Sequence, residues 1–220
     1  MDIFILGNRG RMGVFLTSLF RKKGFSVSGS DISDGKGESM GTEMRNSEVL
    51  ILAVPQDQAL KFIREHDGFT NIVEIGSVKS IFRDFTGKIV SIHPLFGPLS
   101  EDREIKRRII FIDDISPAGK ESLVMRLFGD VDLVKMTADR HDRIMADVLV
   151  APYIISLISS RINPGREFMT RSSMLLNCIT DISQKESPEV LRKTILLNPY
   201  STSKFREIQL GINELAGELL

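Results

Sequence analysis

The sequence predicts an α/β fold with a doubly wound, mostly parallel sheet, followed by an all-helical second domain. Up to Met136, short apolar segments alternate with amphipathic segments, which is the pattern of parallel strands joined by crossover helices. A glycine-rich turn directly follows the first apolar segment. After Met136 no strand-like segment appears, and the remaining sequence has helical periodicity. We therefore predict two domains, residues 1–136 and residues 137–220.

Seven segments of the first domain are predicted to be strands because most are apolar nearly throughout, as expected for strands covered on both faces. They are Asp2–Leu6, Phe25–Ser30, Glu48–Pro55, Asn71–Ile75, Lys88–Ile92, Arg108–Asp113 and Asp130–Lys135. Helices are predicted from Val14 to Lys23, from Gln56 to Glu65 and from Ser116 to Phe128. Residues 32–46 are polar and glycine-rich, and we predict a loop there with a turn of helix.

The second domain is predicted to consist of four helices. They are Thr137–Ser160, Glu167–Gln184, Pro188–Leu197 and Ser201–Leu220. Pro152 lies inside the first of them and should kink it. On the second helix, an apolar stripe that includes Met169, Met174 and Cys178 should be buried in the core or in a subunit contact. We expect these helices to form a substrate lid and a homodimer interface.

Composition excludes several function classes. The chain of 220 residues has 29 basic and 29 acidic residues, so no net field favours nucleic acid or an anionic membrane. Cys178 is the only cysteine, which excludes an intrachain disulfide and a multi-cysteine zinc site and fits a reducing cytoplasm. No metal site is predicted. We also expect neither a signal segment nor an apolar segment of the roughly 20 residues that a membrane span needs.

The segment Gly7–Gly13 predicts a dinucleotide site of the Rossmann type. It lies between a strand and a helix, and Asp31 ends the second strand, as the dinucleotide fingerprint requires. Glycines allow close approach of a pyrophosphate, the helix N-terminus attracts it, and an acid at Asp31 favours NAD over NADP. Asn8 replaces the first glycine of the fingerprint, and asparagine tolerates a left-handed turn. The predicted cofactor-binding residues are Gly7, Asn8, Arg9, Gly10, Arg11, Met12, Gly13, Asp31, Val54 and Pro55.

His93 is the candidate catalytic base. It follows a predicted strand and precedes a stiff loop, Pro94–Pro98, so it should lie at the sheet edge where ligands bind in open parallel sheets. An imidazole is suited to accept a proton near neutral pH, although a packed loop histidine is equally compatible with this position. Ser77 leaves a neighbouring strand and could orient an imidazole or cap a turn. Arg171 stands among apolar residues and serines, where a carboxylate of a substrate or of the protein could pair with it.

Several motifs, taken together, resemble those of the prephenate dehydrogenase family. They are Gly7–Gly13, Gly76–Lys79 and His93–Pro98, supported by His141-Asp142 and Met169–Arg171. The resemblance implies oxidative decarboxylation of prephenate to 4-hydroxyphenylpyruvate, with NAD+ as hydride acceptor. It also implies that His93 takes the proton of the substrate hydroxyl, that Ser77 holds His93, and that Arg171 binds the pyruvyl carboxylate. Tyr153 stands where many family members have a second active-site histidine.

Three alternatives remain open on the sequence. Arogenate differs from prephenate only by an amino group in place of a keto group, so an arogenate dehydrogenase would carry the same motifs. A different NAD(P)-linked dehydrogenase with a helical second domain would assign no special role to the loop after His93. An NAD-binding sensor or dimerisation module would use the cofactor site without catalysis. Fusion to other aromatic-biosynthesis domains also remains open.

Overall fold

The computed structural model describes residues 1–31, 38–66, 68–69, 71–98, 107–162 and 168–220. The described residues form two compact units, Met1–Ala138 and Asp139–Leu220.

The first unit is built on a seven-stranded sheet. Its strands are β1 (Asp2–Leu6), β2 (Ser26–Ser30), β3 (Val49–Leu52), β4 (Ile72–Glu74), β5 (Ile89–Pro94), β6 (Arg108–Ile112) and β7 (Asp132–Met136). The strand order is β2-β1-β3-β4-β5-β6-β7, and β1 to β5 run parallel. Strand β6 pairs with β5 in the antiparallel sense, and β7 runs parallel to β6. This confirms the predicted mostly parallel α/β fold.

The strand order places a topological switch point between β1 and β3. The chain adds β2 on one side of β1 and β3 on the other, and such a reversal opens a crevice at the carboxyl ends of the strands. Both strands are buried because they lie inside the sheet: every residue of β3 is buried, as are Ile3–Leu6 of β1. A ligand site is therefore expected at the ends of β1 and β3.

Among the described residues of the first unit, four α-helices and a 3-10 helix (Ser80–Phe85) accompany the sheet. The α-helices are α1 (Arg11–Lys22), α2 (Glu38–Asn46), α3 (Gln56–Glu65) and α4 (Glu121–Phe128). The prediction of a loop over residues 38–46 is wrong, whereas residues 32–37 lie outside the described part. Met44 is buried in α2, but the segment has no apolar stripe that would announce a helix. Helix α4 begins five residues later than predicted, because Gly119 has φ +82°, which a helix cannot accommodate.

A single apolar core packs α1 and α4 on one side of the sheet. Phe20 and Phe128 meet edge to face with ring centroids 5.4 Å apart, and Phe96 lies 6.0 Å from Phe128. Phe20 is fully buried and Phe128 nearly so, and aromatic pairs of this kind add about 0.5–1.5 kcal/mol to their area burial. The loop after β5, which contains Phe96, is therefore part of the core.

The second unit is helical. Its elements are α5 (Ala138–Met145, whose first residue belongs to the first unit), a π-helical turn (Ala146–Val150), α6 (Ala151–Ile162), α7 (Arg171–Lys185), α8 (Pro188–Leu197) and α9 (Ser201–Leu219). The π-helical turn precedes Pro152, where the proline ring would clash with the carbonyl of Val148 in a regular helix. Helix α7 starts at Arg171 because Thr170 and Ser173 form a capping box. Glu167, its predicted start, lies outside the described residues.

The apolar stripe of α7 is not buried within this chain. Met169, Met174 and Leu175 are more than half exposed, and Cys178 is exposed too. The stripe is thus not part of the core of the single chain, and its burial in a subunit contact stays a prediction. Helix α7 contacts α6 through hydroxyl groups, since Ser159 Oγ lies 2.6 Å from Thr180 Oγ1 and Ser156 Oγ donates to the Thr180 carbonyl. Ile182 of α7 also packs on the apolar core of the helical unit.

The stretch Ala138–Ile162 is long and apolar enough to meet a length-and-composition criterion for a membrane-spanning helix, contrary to expectation. Core helices of soluble proteins meet the same criterion. His141 and Asp142 lie in this stretch, and both side chains are fully buried inside the protein. Ionisable residues are rare in segments that face lipid.

Candidate active site

The glycine turn after β1 has the geometry of a phosphate cradle. Gly7 has φ +89°, and the N–H of Gly10 donates to the Gly7 carbonyl at 3.1 Å. A Cβ on Gly13 would lie 2.0 Å from the Gly7 oxygen, and one on Gly7 would lie 2.5 Å from the Ala53 oxygen. Both positions therefore require glycine. Helix α1 starts directly after the turn without an acid in its first turn, so its N–H groups and dipole are available to an anion.

Asn8, which replaces the first glycine of the fingerprint, does not take the left-handed conformation. Among the described residues, Asn71 is the one non-glycine residue with positive φ. Gly7 therefore makes the tight turn in place of Asn8. The backbone N–H groups of Gly7 and Asn8 both donate to the Ser30 carbonyl at the end of β2. The Asn8 side chain lies against Gly29, and its Oδ1 is buried without a hydrogen-bond partner in the described part of the chain. A cradle closed to Cβ atoms and an unsatisfied amide oxygen beside β2 fit a bound dinucleotide.

Asp31, Val54 and Pro55 lie at the same edge of the sheet. Asp31 directly follows Ser30, whose carbonyl holds the glycine turn, and its side chain is half-buried. Val54 follows β3, and its side chain would lie 2.8 Å from a Cβ on Gly7. Pro55 precedes α3 as its N-cap residue. The structure thus brings the predicted cofactor-binding residues of β1, β2 and β3 together around one crevice.

His93 is the second-to-last residue of β5, which continues to Pro94, whereas the sequence predicts that the strand ends at Ile92 and that His93 follows it. It pairs with Ile110 of β6, and its side chain is half-buried. The following loop packs on α1: the Phe96 ring lies 6.3 Å from that of Phe15, and a Cβ on Gly97 would lie 3.6 Å from the Met12 thioether. Because α1 begins at the glycine turn, this packing joins the His93 loop to the helix that would hold the phosphates.

Ser77 lies in the loop after β4, next to the strand that carries His93. The loop is held by buried side chains on both sides. Gln56, the first residue of α3, donates through Nε2 to the Val78 carbonyl at 3.1 Å. A Cβ on Gly76 would lie 2.7 Å from that nitrogen, so glycine is required for Gln56 to reach the loop. Ser77 and His93 therefore leave adjacent strands at the carboxyl edge of the sheet.

A buried ion pair lies between these two strands. Lys79 and Glu74 are both nearly inaccessible, and Lys79 Nζ lies 2.6 Å from Glu74 Oε1. The same ammonium donates to the Ile92 carbonyl at 2.5 Å. Burial raises the pKa of the Glu74 carboxyl, while Lys79, Ser91 and the Gly76 N–H oppose that rise. The sequence motifs give Glu74 no role, although an acid inside an apolar strand with a lysine five residues later is typical of such a buried pair.

In the second unit, Arg171 and Tyr153 have different environments. Arg171 is exposed at the first position of α7 and has no hydrogen bond or ion pair with a described residue. Tyr153 is 7% exposed and packs in the helical core with Val150 and Leu191. Its ring therefore contributes to the stability of the unit.

His141 and Asp142 form a second buried pair in the helical unit. Both side chains are inaccessible, and His141 Nδ1 lies 2.8 Å from Asp142 Oδ1. Asn198 Nδ2 donates to the Asp142 carbonyl at 2.8 Å and so connects α5 to the end of α8. The pair is therefore part of the internal structure of the helical unit. The described residues contain no cluster of metal-ligating side chains.

Comparison with solved structures identifies several similar folds. A Corynebacterium glutamicum protein provisionally assigned as a prephenate dehydrogenase matches with a TM-score of 0.73 and 17% identity, over 97% of this chain and 79% of that one. Prephenate dehydrogenase from Aquifex aeolicus, in complex with hydroxyphenyl propionate and NAD+, matches with a TM-score of 0.72 and 17% identity, over 99% and 90%. Synechocystis arogenate dehydrogenase matches with a TM-score of 0.63 and 15% identity, over 99% and 91%.

No family model and no curated protein sequence matches the chain. The similarity thus lies in the structure, and at sequence identities of 15–17% it establishes the fold alone. The chain has the fold of the prephenate and arogenate dehydrogenases.

Proposed function

We propose that this protein is a nicotinamide-dependent dehydrogenase that converts prephenate to 4-hydroxyphenylpyruvate and CO2. The observation that carries the proposal is the position of His93. It lies at the carboxyl edge of the sheet, on a strand whose following loop packs against the helix of the glycine turn. A proton acceptor and a dinucleotide cradle therefore belong to one rigid set of elements.

The residues of the first unit divide the chemistry between them. The glycine turn would hold the pyrophosphate, and Asp31 would accept hydrogen bonds from the adenosine ribose, which favours NAD over NADP. NAD+, when bound, supplies the hydride acceptor. His93 takes the proton of the substrate hydroxyl as that carbon is oxidised. Loss of the ring carboxylate as CO2 then makes the ring aromatic, and His93 can return the proton to the same oxygen.

The helical unit would supply substrate recognition. Arg171 is exposed and has no carboxylate partner among the described residues, so its guanidinium can bind the pyruvyl carboxylate in a bidentate manner. Tyr153 would contribute a hydroxyl at most, because its ring is buried in the helical core. Tyrosine biosynthesis in the cytoplasm is the setting that this reaction and the lone cysteine suggest.

Arogenate is the second candidate substrate. The fold of Synechocystis arogenate dehydrogenase matches almost the whole chain, and the motifs of the first unit do not distinguish the two substrates. An arogenate site needs a group that binds an ammonium. Arg171 could bind the side-chain carboxylate of either compound, so it does not distinguish them, and an assay with both compounds decides between them.

A direct assay tests the proposal. The purified protein is mixed with prephenate or arogenate and with NAD+ or NADP+, and formation of the reduced nicotinamide is followed by absorbance. We expect turnover of prephenate with NAD+. The variant His93→Asn should lower kcat by about 100-fold or more, the usual size of a general-base loss, and should leave NADH binding intact.

His66→Asn is the matched control. His66 lies at the end of α3, where it stacks on Phe62 with ring centroids 4.1 Å apart, and its loss should leave kcat unchanged. If the protein turns over neither prephenate nor arogenate, the proposed function is wrong. Activity that survives in His93→Asn would remove His93 from the reaction.

A further inference from the structure

We propose that Lys79 and Glu74 are positioning residues, which together fix the strand ends that carry Ser77 and His93. The inference rests on the proposed function, because it takes His93 as the base. It concerns two buried charged groups that the reaction as described above does not use.

Lys79 completes the sheet where β4 stops. Strand β4 ends at Glu74, which pairs with Ser91, so no residue of β4 is paired with Ile92. The Lys79 ammonium donates to the Ile92 carbonyl from the loop that follows β4. That carbonyl is part of the peptide bond between Ile92 and His93. The ammonium thus replaces a missing ladder hydrogen bond directly before the candidate base.

Glu74 connects the same point to the Ser77 loop. One carboxylate oxygen accepts from Lys79 and from the Ser91 hydroxyl. The other accepts from the Gly76 N–H at 2.9 Å, one residue before Ser77. A single carboxylate therefore joins the backbone beside Ser77, the strand that carries His93, and the lysine that holds Ile92.

Stability alone does not account for this arrangement. Burying two charges costs desolvation free energy, and apolar residues of similar size often replace a buried ion pair without loss of stability. Apolar residues could not donate to the Ile92 carbonyl or accept from the Gly76 N–H. What the pair contributes beyond packing is the fixed position of these two backbone groups.

Three variants separate positioning from stability. Lys79→Met removes the donor to Ile92 and leaves Glu74 without its cation. Glu74→Gln keeps the size of the side chain and alters the acceptor. The double variant removes both charges, so it should recover the thermal stability that Lys79→Met loses. Val124→Ala, a truncation of a fully buried residue in α4, is the control for general destabilisation.

We expect kcat to fall about tenfold or more in Lys79→Met and to stay low in the double variant, because a misplacement of about 1 Å can cost about 100-fold. KM and the Kd for NADH should change little. Val124→Ala should lower Tm and leave kcat unchanged. If the double variant recovers both Tm and kcat, the pair is only structural and the inference is overturned.

A second measurement does not depend on turnover. The chain contains three histidines, so its imidazole NMR signals are few, and His93→Asn identifies the one from His93. In Lys79→Met and Glu74→Gln the chemical shift of the His93 signal should change, while those of His66 and His141 should not. If Lys79→Met does not fold, Glu74→Gln provides the same comparison. An unchanged His93 signal in a folded variant would overturn the inference.

Turnover and the NMR signal of His93 test the proposed function and the positioning role separately. If the wild-type protein turns over neither prephenate nor arogenate, the proposed function fails, and the NMR comparison still tests whether the pair positions His93.

Discussion

Asp31 is the residue that we expect to set the preference between NAD and NADP. It directly follows Ser30, whose carbonyl holds the backbone of Gly7 and Asn8 in place, so Asp31 lies next to the glycine turn in the chain fold. A carboxylate there accepts hydrogen bonds from ribose hydroxyls and repels a 2′-phosphate.

We predict that Asp31→Ala weakens NADH binding by roughly 10- to 100-fold, the range expected for a lost hydrogen bond to a charged group. Discrimination against NADPH should relax in the same variant. Both are measured as Kd values by fluorescence titration. Asp113→Ala is the control, because Asp113 is an exposed acid that directly follows β6. Unchanged affinities for both cofactors in Asp31→Ala would show that the adenosine does not lie beside β2.

Single residues also show where sequence analysis reaches its limit. The fingerprint indicates that a turn follows β1, but not that Gly7 rather than the residue at the Asn8 position takes positive φ. The reason is tertiary: Gly7 must clear the Ala53 carbonyl of β3, which is distant in sequence. Lys79 belongs to a motif that the sequence analysis quoted, yet its partners Glu74 and Ile92 become visible only when β4 and β5 are paired.

At the scale of elements, the helices α5 and α9 are joined by one polar cluster. The Tyr200 hydroxyl donates to Asp139 Oδ1 at 2.5 Å and accepts from Arg143 at 3.2 Å. The Arg143 guanidinium also lies 5.0 Å from the centroid of the Tyr200 ring. The hydrogen bond to Asp139 raises the pKa of Tyr200 above its ordinary value, because it favours the protonated phenol.

The raised pKa of Tyr200 determines how its contribution to stability depends on pH. A phenol whose pKa is raised on folding contributes stability below the ordinary pKa of about 10, and the contribution is lost as pH rises through the raised value. We predict that Tyr200→Phe lowers Tm near neutral pH, and that the difference from wild type shrinks in strongly alkaline solution. Thermal unfolding over a pH series measures both. A difference in Tm that grows with pH would contradict the assignment.

Elements were predicted well where a periodic apolar pattern exists. Helix α3 has the predicted bounds, Gln56–Glu65, because its apolar residues recur on one face. Helix α2 lacks such a face, so the sequence pattern does not predict it. The π-helical turn before Pro152 was predicted only as a kink, since the proline shows that the helix is disturbed but the packing decides how the strain is absorbed.

At the scale of the whole molecule, exposed apolar surface is concentrated in the helical unit. Of the eighteen exposed large apolar side chains among the described residues, three (Val14, Leu95 and Met125) lie in the first unit, which leaves fifteen in the second. Large contiguous apolar patches on a protein surface mark interaction sites. The exposed residues of the α7 stripe belong to this set.

Helix α9 has the spacing of a helix–helix seam. Five of its apolar residues, Phe205, Ile208, Ile212, Leu215 and Leu219, recur at intervals of three, four, three and four residues. This alternation places all five on one side of the helix, as in the a and d positions of a coiled coil. Four of them are about half exposed or more, from Phe205 at 48% to Leu219 at 72%. We propose that a second copy of the chain covers this stripe, so that the protein is a homodimer through its helical unit.

We predict that Ile212→Asp converts the dimer to a monomer, because a charge in the seam would be buried without a partner. Leu210→Asp is the matched control: Leu210 lies on the same helix and is 60% exposed, but it falls outside the stripe. Light scattering after size-exclusion chromatography gives the mass of each variant. A monomeric wild-type protein, or a dimer that Ile212→Asp leaves intact while Leu210→Asp disrupts it, would contradict the assignment of the seam. If the seam forms, dissociation should also lower the Tm of the helical unit, because the apolar side chains of α9 and α7 return to water.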